Sequence, residues 1–176
     1  MYRETENASL ELKEKETKTF HKTISAFANY RDGRIVFGVR KDGIIIGIDN
    51  PEAFCLQVEN SINDTIDPRP KFKLQTQKVE GKNIVELLVY KGQHTPYTYN
   101  GAAYKRSDTS TVPVDSNELR LLSLEGVNFS YDQLPSTEND LSFTILRKFL
   151  KEKAGLKRIT DDTWHTLGLM RKNYYT

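Results

Sequence analysis

A helix followed by two short apolar runs, each entered through an Asp-Gly pair, most constrains how this chain can fold. In the stretch 25–49, SAFANYRDGRIVFGVRKDGIIIGID, Asp32-Gly33 precedes the run IVFGV and Asp42-Gly43 precedes the run IIIGI. Asp-Gly between β-branched runs is a hairpin signal, because glycine adopts the positive φ that tight turns need. The sequence therefore predicts the end of a helix, a strand, a glycine turn and a second strand.

Apolar periodicity predicts the elements before this stretch. Phe20, Ile24 and Phe27 recur at helical spacing, and the pattern indicates a first helix over residues 15–29. Leu10 and Leu12 alternate with charged residues, which is typical of a short strand with one face in water. The chain thus begins with a strand and a helix that lead into the central apolar runs.

Turn and cap signals predict the elements that follow. Asn50-Pro51 opens a second helix, and Pro68 ends it. A hairpin joins 71–79 to 83–90, a further strand covers 101–106, and a short helix begins at Asp115. We therefore expect an α/β (α+β) fold, in which helices pack on a mixed sheet built from hairpins.

Residues 1–126 form the predicted main domain, and residues 127–176 form a linker and two helices. One of these helices stops at Gly155 and the other starts at Thr160. Two amphipathic helices cannot bury their apolar faces alone, so we expect this appendage to dock on the main domain or to start a following region. It carries an unusual apolar and aromatic load: Trp164, Leu167, Met170, Tyr174 and Tyr175. One interpretation is therefore a non-enzymatic interaction module in which these helices bind a partner protein or, in a homo-oligomer, a second copy of the chain.

The composition excludes several classes of protein. No apolar run approaches the roughly 20 residues of a membrane helix, and the charged N-terminus lacks the apolar segment of a secretory signal. The single cysteine, Cys55, excludes an intrachain disulfide, so a cytoplasmic location is expected. A net charge of +2 does not by itself require a nucleic-acid partner.

Four segments, taken in order and spacing, carry a resemblance to a known family. They are Glu6-x4-Glu11-Leu-Lys13, Ser25-Ala-Phe-Ala-Asn29 with Asp32-Gly33, Ile35-Val-Phe-Gly38-Val39 with Gly43 and Gly47, and Tyr104-Lys-Arg106-Ser-Asp-Thr-Ser-Thr. Over roughly residues 4–120 the chain resembles the Schlafen-type AlbA-like domain, formerly described as a divergent AAA domain. That family occurs in vertebrate Schlafens and in bacterial proteins described as transcriptional regulators. The resemblance implies a mixed sheet with packed helices, and nucleic-acid binding, with DNA the expected partner.

Cations near two turns are the candidates for this binding, because phosphate neutralisation supplies most nucleic-acid affinity. One pair lies at the predicted hairpin tip, and another ends a strand beside a hydroxyl-rich turn whose hydroxyl and N–H groups can hold an anion. The predicted nucleic-acid-binding residues are Lys13, Arg40, Lys41, Lys105, Arg106 and Thr109. This function needs no cofactor.

The alternative that the resemblance implies is a metal-dependent ribonuclease. In the Schlafen branch a carboxylate cluster supplies this activity, and the candidates here are Glu6, Glu11 and Asp42. Three acids can hold a divalent metal ion that activates water. The third acid of that motif follows the central strand shortly after its Gly-Val pair, where this chain has Arg40 and Lys41. This departure favours binding over cleavage, so we expect a binding domain rather than an enzyme and assign no metal site. The nucleotide motifs G-x-x-x-x-G-K-[ST] and G-x-G-x-x-G are also absent.

Overall fold

The computed structural model describes residues 1–127, 142–171 and 174–175, and it divides into two compact units, Met1–Asn128 and Phe129–Thr176. Residues 1–127 form eight strands and three helices. In chain order these are β1 (Leu10–Lys13), α1 (Phe20–Tyr30), β2 (Gly33–Phe37), α2 (Pro51–Thr65), β3 (Ile66–Asp67), β4 (Phe72–Val79), β5 (Lys82–Val89), β6 (Thr98–Tyr99), β7 (Ala102–Ser107), β8 (Ser110–Pro113) and α3 (Ser116–Gly126).

The strands form two four-stranded sheets, with the orders β1-β2-β5-β4 and β3-β6-β7-β8. β1 runs parallel to β2, and α1 is the crossover between them, as a parallel pair requires. All other pairings within these two sheets are antiparallel. The first sheet is therefore mixed and helices pack on the sheets, which confirms the predicted fold class.

Helix α1 lies at the centre of this unit and packs against strands of both sheets. Its side chains Phe20, Ile24 and Phe27 enter the main core. Close packing around α1 leaves no room for a side chain at Gly33, the first residue of β2. A Cβ atom at Gly33 would lie 2.5 Å from the Phe27 ring, so only glycine allows this approach.

Two buried polar side chains join α1 to the second sheet. Ser25 Oγ donates to the Tyr97 carbonyl at 2.7 Å and accepts from the Tyr104 N–H at 3.1 Å. Asn29 Nδ2 donates to the same Tyr97 carbonyl at 2.9 Å, and Asn29 Oδ1 accepts from the Tyr97 N–H at 2.7 Å. These bonds satisfy backbone groups that burial would otherwise leave without partners.

Several predicted helix signals are confirmed. The Asn50 side chain caps α2 by accepting from the Ala53 N–H at 3.1 Å, with Pro51 as the first helical residue. Asp115 and Glu118 form a capping box at the start of α3. The predicted start of the first helix was wrong, since α1 begins at Phe20 rather than near residue 15.

The predicted second strand of the central hairpin is also wrong. A single bridge joins Val39 to Ile45 around the turn 40–43, and residues 46–48 form no strand, although the Ile48 N–H donates to the Asn83 carbonyl of β5 at 2.8 Å. Gly38 and Gly47 have φ values of +88° and +90°, which an extended strand cannot contain. The apolar run therefore splits, with Ile45 buried and Ile44 exposed.

Strand β1 differs from its prediction in the environment of its charged face. Leu10 and Leu12 enter a second cluster of buried apolar residues on the far side of the first sheet. Glu11 and Lys13 point to the opposite face, which is not in water, since only 5% of Glu11 is exposed. The alternation was predicted correctly. The prediction that the charged side of β1 faces water was wrong, because α1 and the β7–β8 hairpin cover that side.

The second unit contains α4 (Thr144–Glu152), α5 (Asp161–Thr166) and an unpredicted antiparallel pair, β9 (Met170–Arg171) and β10 (Tyr174–Tyr175). Trp164 is buried in this unit beside the ring of Phe143 and below the guanidinium of Arg147. Residues 128–141, most of the predicted linker, lie outside the described residues. None of the helices in the described ranges is long and apolar enough to cross a membrane.

Candidate functional site

A cleft of about 350 Å³ lies in the first unit between β1, the start of α1 and the β7–β8 hairpin. Four cations, one carboxylate and five hydroxyl side chains line this basic cleft. They are Lys13, Lys22, Lys41 and Arg106, then Glu11, then Thr19, Thr23, Thr109, Ser110 and Thr111. Such a set of donors is suited to an anion.

Strand β1 supplies Glu11 and Lys13 to the cleft because it is an edge strand. In its parallel register with β2, Glu11 lies beside Ile35 and Lys13 beside Phe37. Neighbouring residues of paired strands share a face, so both charged side chains point to the side of the sheet that carries α1. At the edge Glu11 extends past the apolar core and meets Thr23 of α1 and Arg106 of β7.

A buried ion pair forms the floor of the cleft. Glu11 Oε2 accepts from Arg106 Nη1 at 2.8 Å and from Thr23 Oγ1 at 2.5 Å, and Glu11 Oε1 lies 2.7 Å from Lys13 Nζ. The Arg106 side chain is only 3% exposed. Its Nη1 also donates to Thr111 Oγ1 at 2.9 Å. Pairing and hydrogen bonding are what a buried charge requires.

One nitrogen of Arg106 makes no hydrogen bond to the described residues. Its Nη2 donates to the Asn7 carbonyl at 3.1 Å, whereas its Nε–H is buried and has no hydrogen-bond partner among the residues that the structure describes. A buried donor left in this state is costly, at about 1–3 kcal/mol.

The rim of the cleft is more open than its floor. Lys41 is 73% exposed on its side chain and lies 3.3 Å from Glu6 Oε2. Lys22 Nζ lies 5.6 Å from the centre of the Tyr104 ring. The first turn of α1 contains no acidic residue and Thr19 makes no side-chain cap. The positive end of the helix dipole therefore adds to the charge of the cleft.

The structure brings four of the six predicted nucleic-acid-binding residues together: Lys13, Lys41, Arg106 and Thr109. The other two do not line the cleft. Arg40 Nη2 lies 2.9 Å from Asp42 Oδ2, and Lys105 Nζ lies 2.6 Å from Glu118. Successive residues of a strand point to opposite faces, so Lys105 faces α3 while Arg106 faces the cleft.

Sequence reasoning missed three lining residues on the first turn of α1: Thr19, Lys22 and Thr23. Residues three and four positions apart share a face of a helix, and these three have that spacing. The sequence could therefore predict that these three residues share a face. It could not predict that Arg106 lies opposite this face, because that contact joins segments far apart in the chain.

Glu6 and Glu11, two of the predicted carboxylates, are both engaged by cations. The chain reverses between Asn7 and Leu10, which brings Glu6 beside β1. Glu6 Oε1 accepts from the Leu12 N–H at 3.1 Å, and its other oxygen faces Lys41. Both oxygens of Glu11 are bound to cations in the floor described above. Each carboxylate thus acts as a partner for a positive charge.

Asp42, the third predicted carboxylate, serves the turn that contains it. Its Oδ1 accepts from the Ile44 N–H at 3.1 Å, and its Oδ2 pairs with Arg40. No group of three acidic, histidine or cysteine residues that could hold a metal ion occurs in the described part of the chain. Lysine and arginine occupy the carboxylate oxygens that a divalent ion would need, so the residues present do not fit such an ion.

His21 lies outside the cleft, between α2 and the second sheet. Its Nε2 lies 2.7 Å from Ser61 Oγ, and its ring stacks on Tyr99 with 4.9 Å between the ring centres. Burial lowers the pKa of His21 below its usual value of 6.5, although the Lys18 carbonyl and Glu16 oppose this effect. His21 is therefore a structural residue that favours its neutral form.

The fold and the cleft together define a small α+β domain with a basic cleft lined by four cations. The chain belongs to the Schlafen AlbA_2 family, whose model matches residues 6–115.

The solved structures include similar folds. The DIP2311 protein from Corynebacterium diphtheriae is 17% identical over 96% of this chain, with a TM-score of 0.56, and this chain spans 34% of its length. The N-terminal domain of a RecG-related protein from Nitrosomonas europaea is 23% identical over 60% of this chain and 82% of that domain, with a TM-score of 0.44. The curated proteins gave no match.

Proposed function

We propose that this domain binds nucleic acid, with DNA the expected partner, by holding its phosphates in the basic cleft. The observation that carries the proposal is the convergence of four cations with a single carboxylate in one cleft. Phosphate neutralisation supplies most of the affinity of proteins for nucleic acids. Membership of the Schlafen AlbA_2 family supports the same partner.

The rigidity of the cleft floor supports this proposal. Glu11, Thr111 and the Asn7 carbonyl hold the guanidinium of Arg106 in one position. A ligand phosphate would therefore meet a preorganised cation and lose little free energy in ordering it. Hydroxyl groups and the start of α1 would supply further donors to its oxygens.

The chemistry of the lining supports binding that is largely independent of sequence. Base reading commonly uses carboxamides or guanidinium groups that reach base edges, and base stacking uses aromatic rings, whereas lysine and hydroxyl groups, which can also reach bases, are common phosphate ligands. The ten lining residues include no aromatic ring and no carboxamide, and their one guanidinium is held in the floor. Tyr97 and Tyr99 are buried and cannot serve as stacking platforms. The half-buried ring of Tyr104 on β7 does not line the cleft and lies beside the rim cation Lys22, with 5.6 Å between Lys22 Nζ and the ring centre.

We extend the proposal to the whole chain on the same grounds. Residues 1–126 would be the nucleic-acid-binding domain of a bacterial, cytoplasmic transcriptional regulator, and the second unit would begin its next region. The exposed side chains of Ile145 and Phe149 on α4 support homo-oligomer formation through the second unit. No enzymatic activity is proposed.

Salt-dependent binding tests the proposal. Fluorescence anisotropy would give the affinity of the full chain for labelled DNA and RNA between 50 and 200 mM salt, a range over which phosphate contacts weaken strongly. Lys22→Ala removes one cation of the rim and should reduce the slope of log K against log salt by about 1. Lys91→Ala is the matched control, because Lys91 pairs with Glu125 outside the cleft at 2.8 Å and should leave the slope unchanged.

Two outcomes would contradict the proposal. If the protein bound no DNA or RNA at low salt, the proposed function would be refuted. Equal slopes for wild type and Lys22→Ala, with binding intact, would place the phosphates elsewhere on the protein.

A further inference from the structure

We infer that the basic cleft takes the terminal phosphate of a nucleic-acid strand, a phosphate monoester, in preference to an internal phosphodiester. This inference rests on the proposed function and specifies its ligand. The cations of the cleft line one cavity of about 350 Å³ that is open to solvent. A single cavity of this kind suits a group at which the strand ends.

The charge of the cleft matches a monoester better than a diester. A phosphate monoester carries about −1.5 to −2 charges at neutral pH and offers three acceptor oxygens. An internal phosphate carries one charge and offers two free oxygens. Four cations line the cleft, with Glu11 in its floor and Glu6 paired to Lys41 at its rim, so four positive and two negative side chains leave a net charge of +2. A monoester can offset both charges, whereas one internal phosphate offsets only one.

The borders of the cleft oppose the passage of a continuous strand. Lys41 at the rim is already paired with Glu6, and its neighbour Arg40 is paired with Asp42. The exposed carboxylate of Glu14 follows Lys13 directly. Glu6, Asp42 and Glu14 therefore lie on the Lys41 side of the cleft, where the two cations Arg40 and Lys41 face three carboxylates. A continuous strand would have to pass further phosphates along this side, whereas a strand end can leave the cleft away from it.

The experiment compares strand ends at constant sequence and salt. The full chain would be titrated with internally labelled oligonucleotides that carry a 5′-phosphate, a 3′-phosphate or hydroxyl groups at both ends, and with a closed single-stranded circle. We expect one phosphate-ended form to bind about tenfold more tightly than the hydroxyl-ended form, the gain of one added charge-assisted hydrogen bond. The circle should bind no better than the hydroxyl-ended strand.

Matched variants assign the preference to the cleft. Lys22→Ala and Lys41→Ala should each reduce the preference for a phosphate end, and both lie at the rim, where substitution leaves the buried floor intact. Lys91→Ala should retain it.

Each contrary outcome has its own meaning. Equal affinity for all linear ends and the circle would refute the inference and leave the proposed function in place. No binding to any oligonucleotide would refute the proposed function. If inorganic phosphate displaced the phosphate-ended strand at equal concentration, the ligand would be a small phosphate and the inference would fail.

Discussion

The substitution Glu11→Ala tests the central contact of the basic cleft. Glu11 is nearly enclosed and binds the equally enclosed guanidinium of Arg106 at 2.8 Å, with Thr23 and Lys13 as further partners. Alanine removes the carboxylate and leaves the positive charge of Arg106 buried without its counter-ion. The substitution should therefore destabilise the folded state.

The expected size follows from the burial of both partners. Removal of one member of a buried ion pair costs about 3–5 kcal/mol, because the remaining charge loses its compensation. Lys13 adds little, because its ammonium can turn into the cleft opening. A domain of this kind has a free energy of unfolding of about 5–15 kcal/mol, so the loss would be a large share of it. Glu11→Gln keeps one acceptor oxygen and should lose less.

Urea unfolding at neutral pH, followed by circular dichroism, would measure the change. Glu14→Ala is the matched control, since Glu14 is 60% exposed and lies 3.9 Å from Arg40 Nε. A surface pair of this kind contributes at most about 1 kcal/mol, so the control should unfold close to the wild type. Equal m-values would show that the comparison concerns stability alone.

The sign of the effect separates the two interpretations of Glu11. A carboxylate held among other acids to bind a metal ion is repelled by them, and its removal commonly raises stability. A loss below about 1 kcal/mol, or a gain, would refute the ion-pair reasoning. The ribonuclease alternative further expects Mn²⁺ to raise the Tm by binding the folded state, whereas we expect no shift that depends on Glu11.

Two further predictions concern the core around α1. Asn29→Ala should lower the free energy of unfolding in urea by about 1–3 kcal/mol, because the buried Tyr97 N–H loses its only acceptor among the described residues. Asn60→Ala, on the exposed face of α2, is the control and should change this free energy little. Equal stability of the two variants would contradict the prediction. His21→Gln should weaken the pH dependence of stability below pH 6.5. The lowered pKa of His21 means that the unfolded state binds more protons there, so stability falls as pH falls, by at most about 1.4 kcal/mol per pH unit from this group. Parallel stability curves for wild type and variant between pH 7 and 5 would contradict it.

The local elements of this domain could be read from the sequence, since their causes lie within a few residues. Asn50-Pro51 opens α2, and Asp115 with Glu118 opens α3, because side chains close to a helix start bind its free N–H groups. The β4–β5 hairpin follows from alternation around Gly81. Family membership was readable for a similar reason, as it depends on short segments with characteristic spacing.

The environment of each charged residue was decided only by the tertiary structure. The alternation around Glu11 is that of a strand with one face in water. In the structure, Arg106, 95 positions later in the chain, pairs with Glu11 in the buried floor of the cleft. Lys105 and Arg106 are equivalent in the sequence, yet the strand directs one to Glu118 and the other into the cleft. Lys22 joins the site because β1 and the β7–β8 hairpin meet the first turn of its helix. Periodicity determines on which side of an element a residue lies, but which other elements cover that side depends on contacts between segments far apart in the chain.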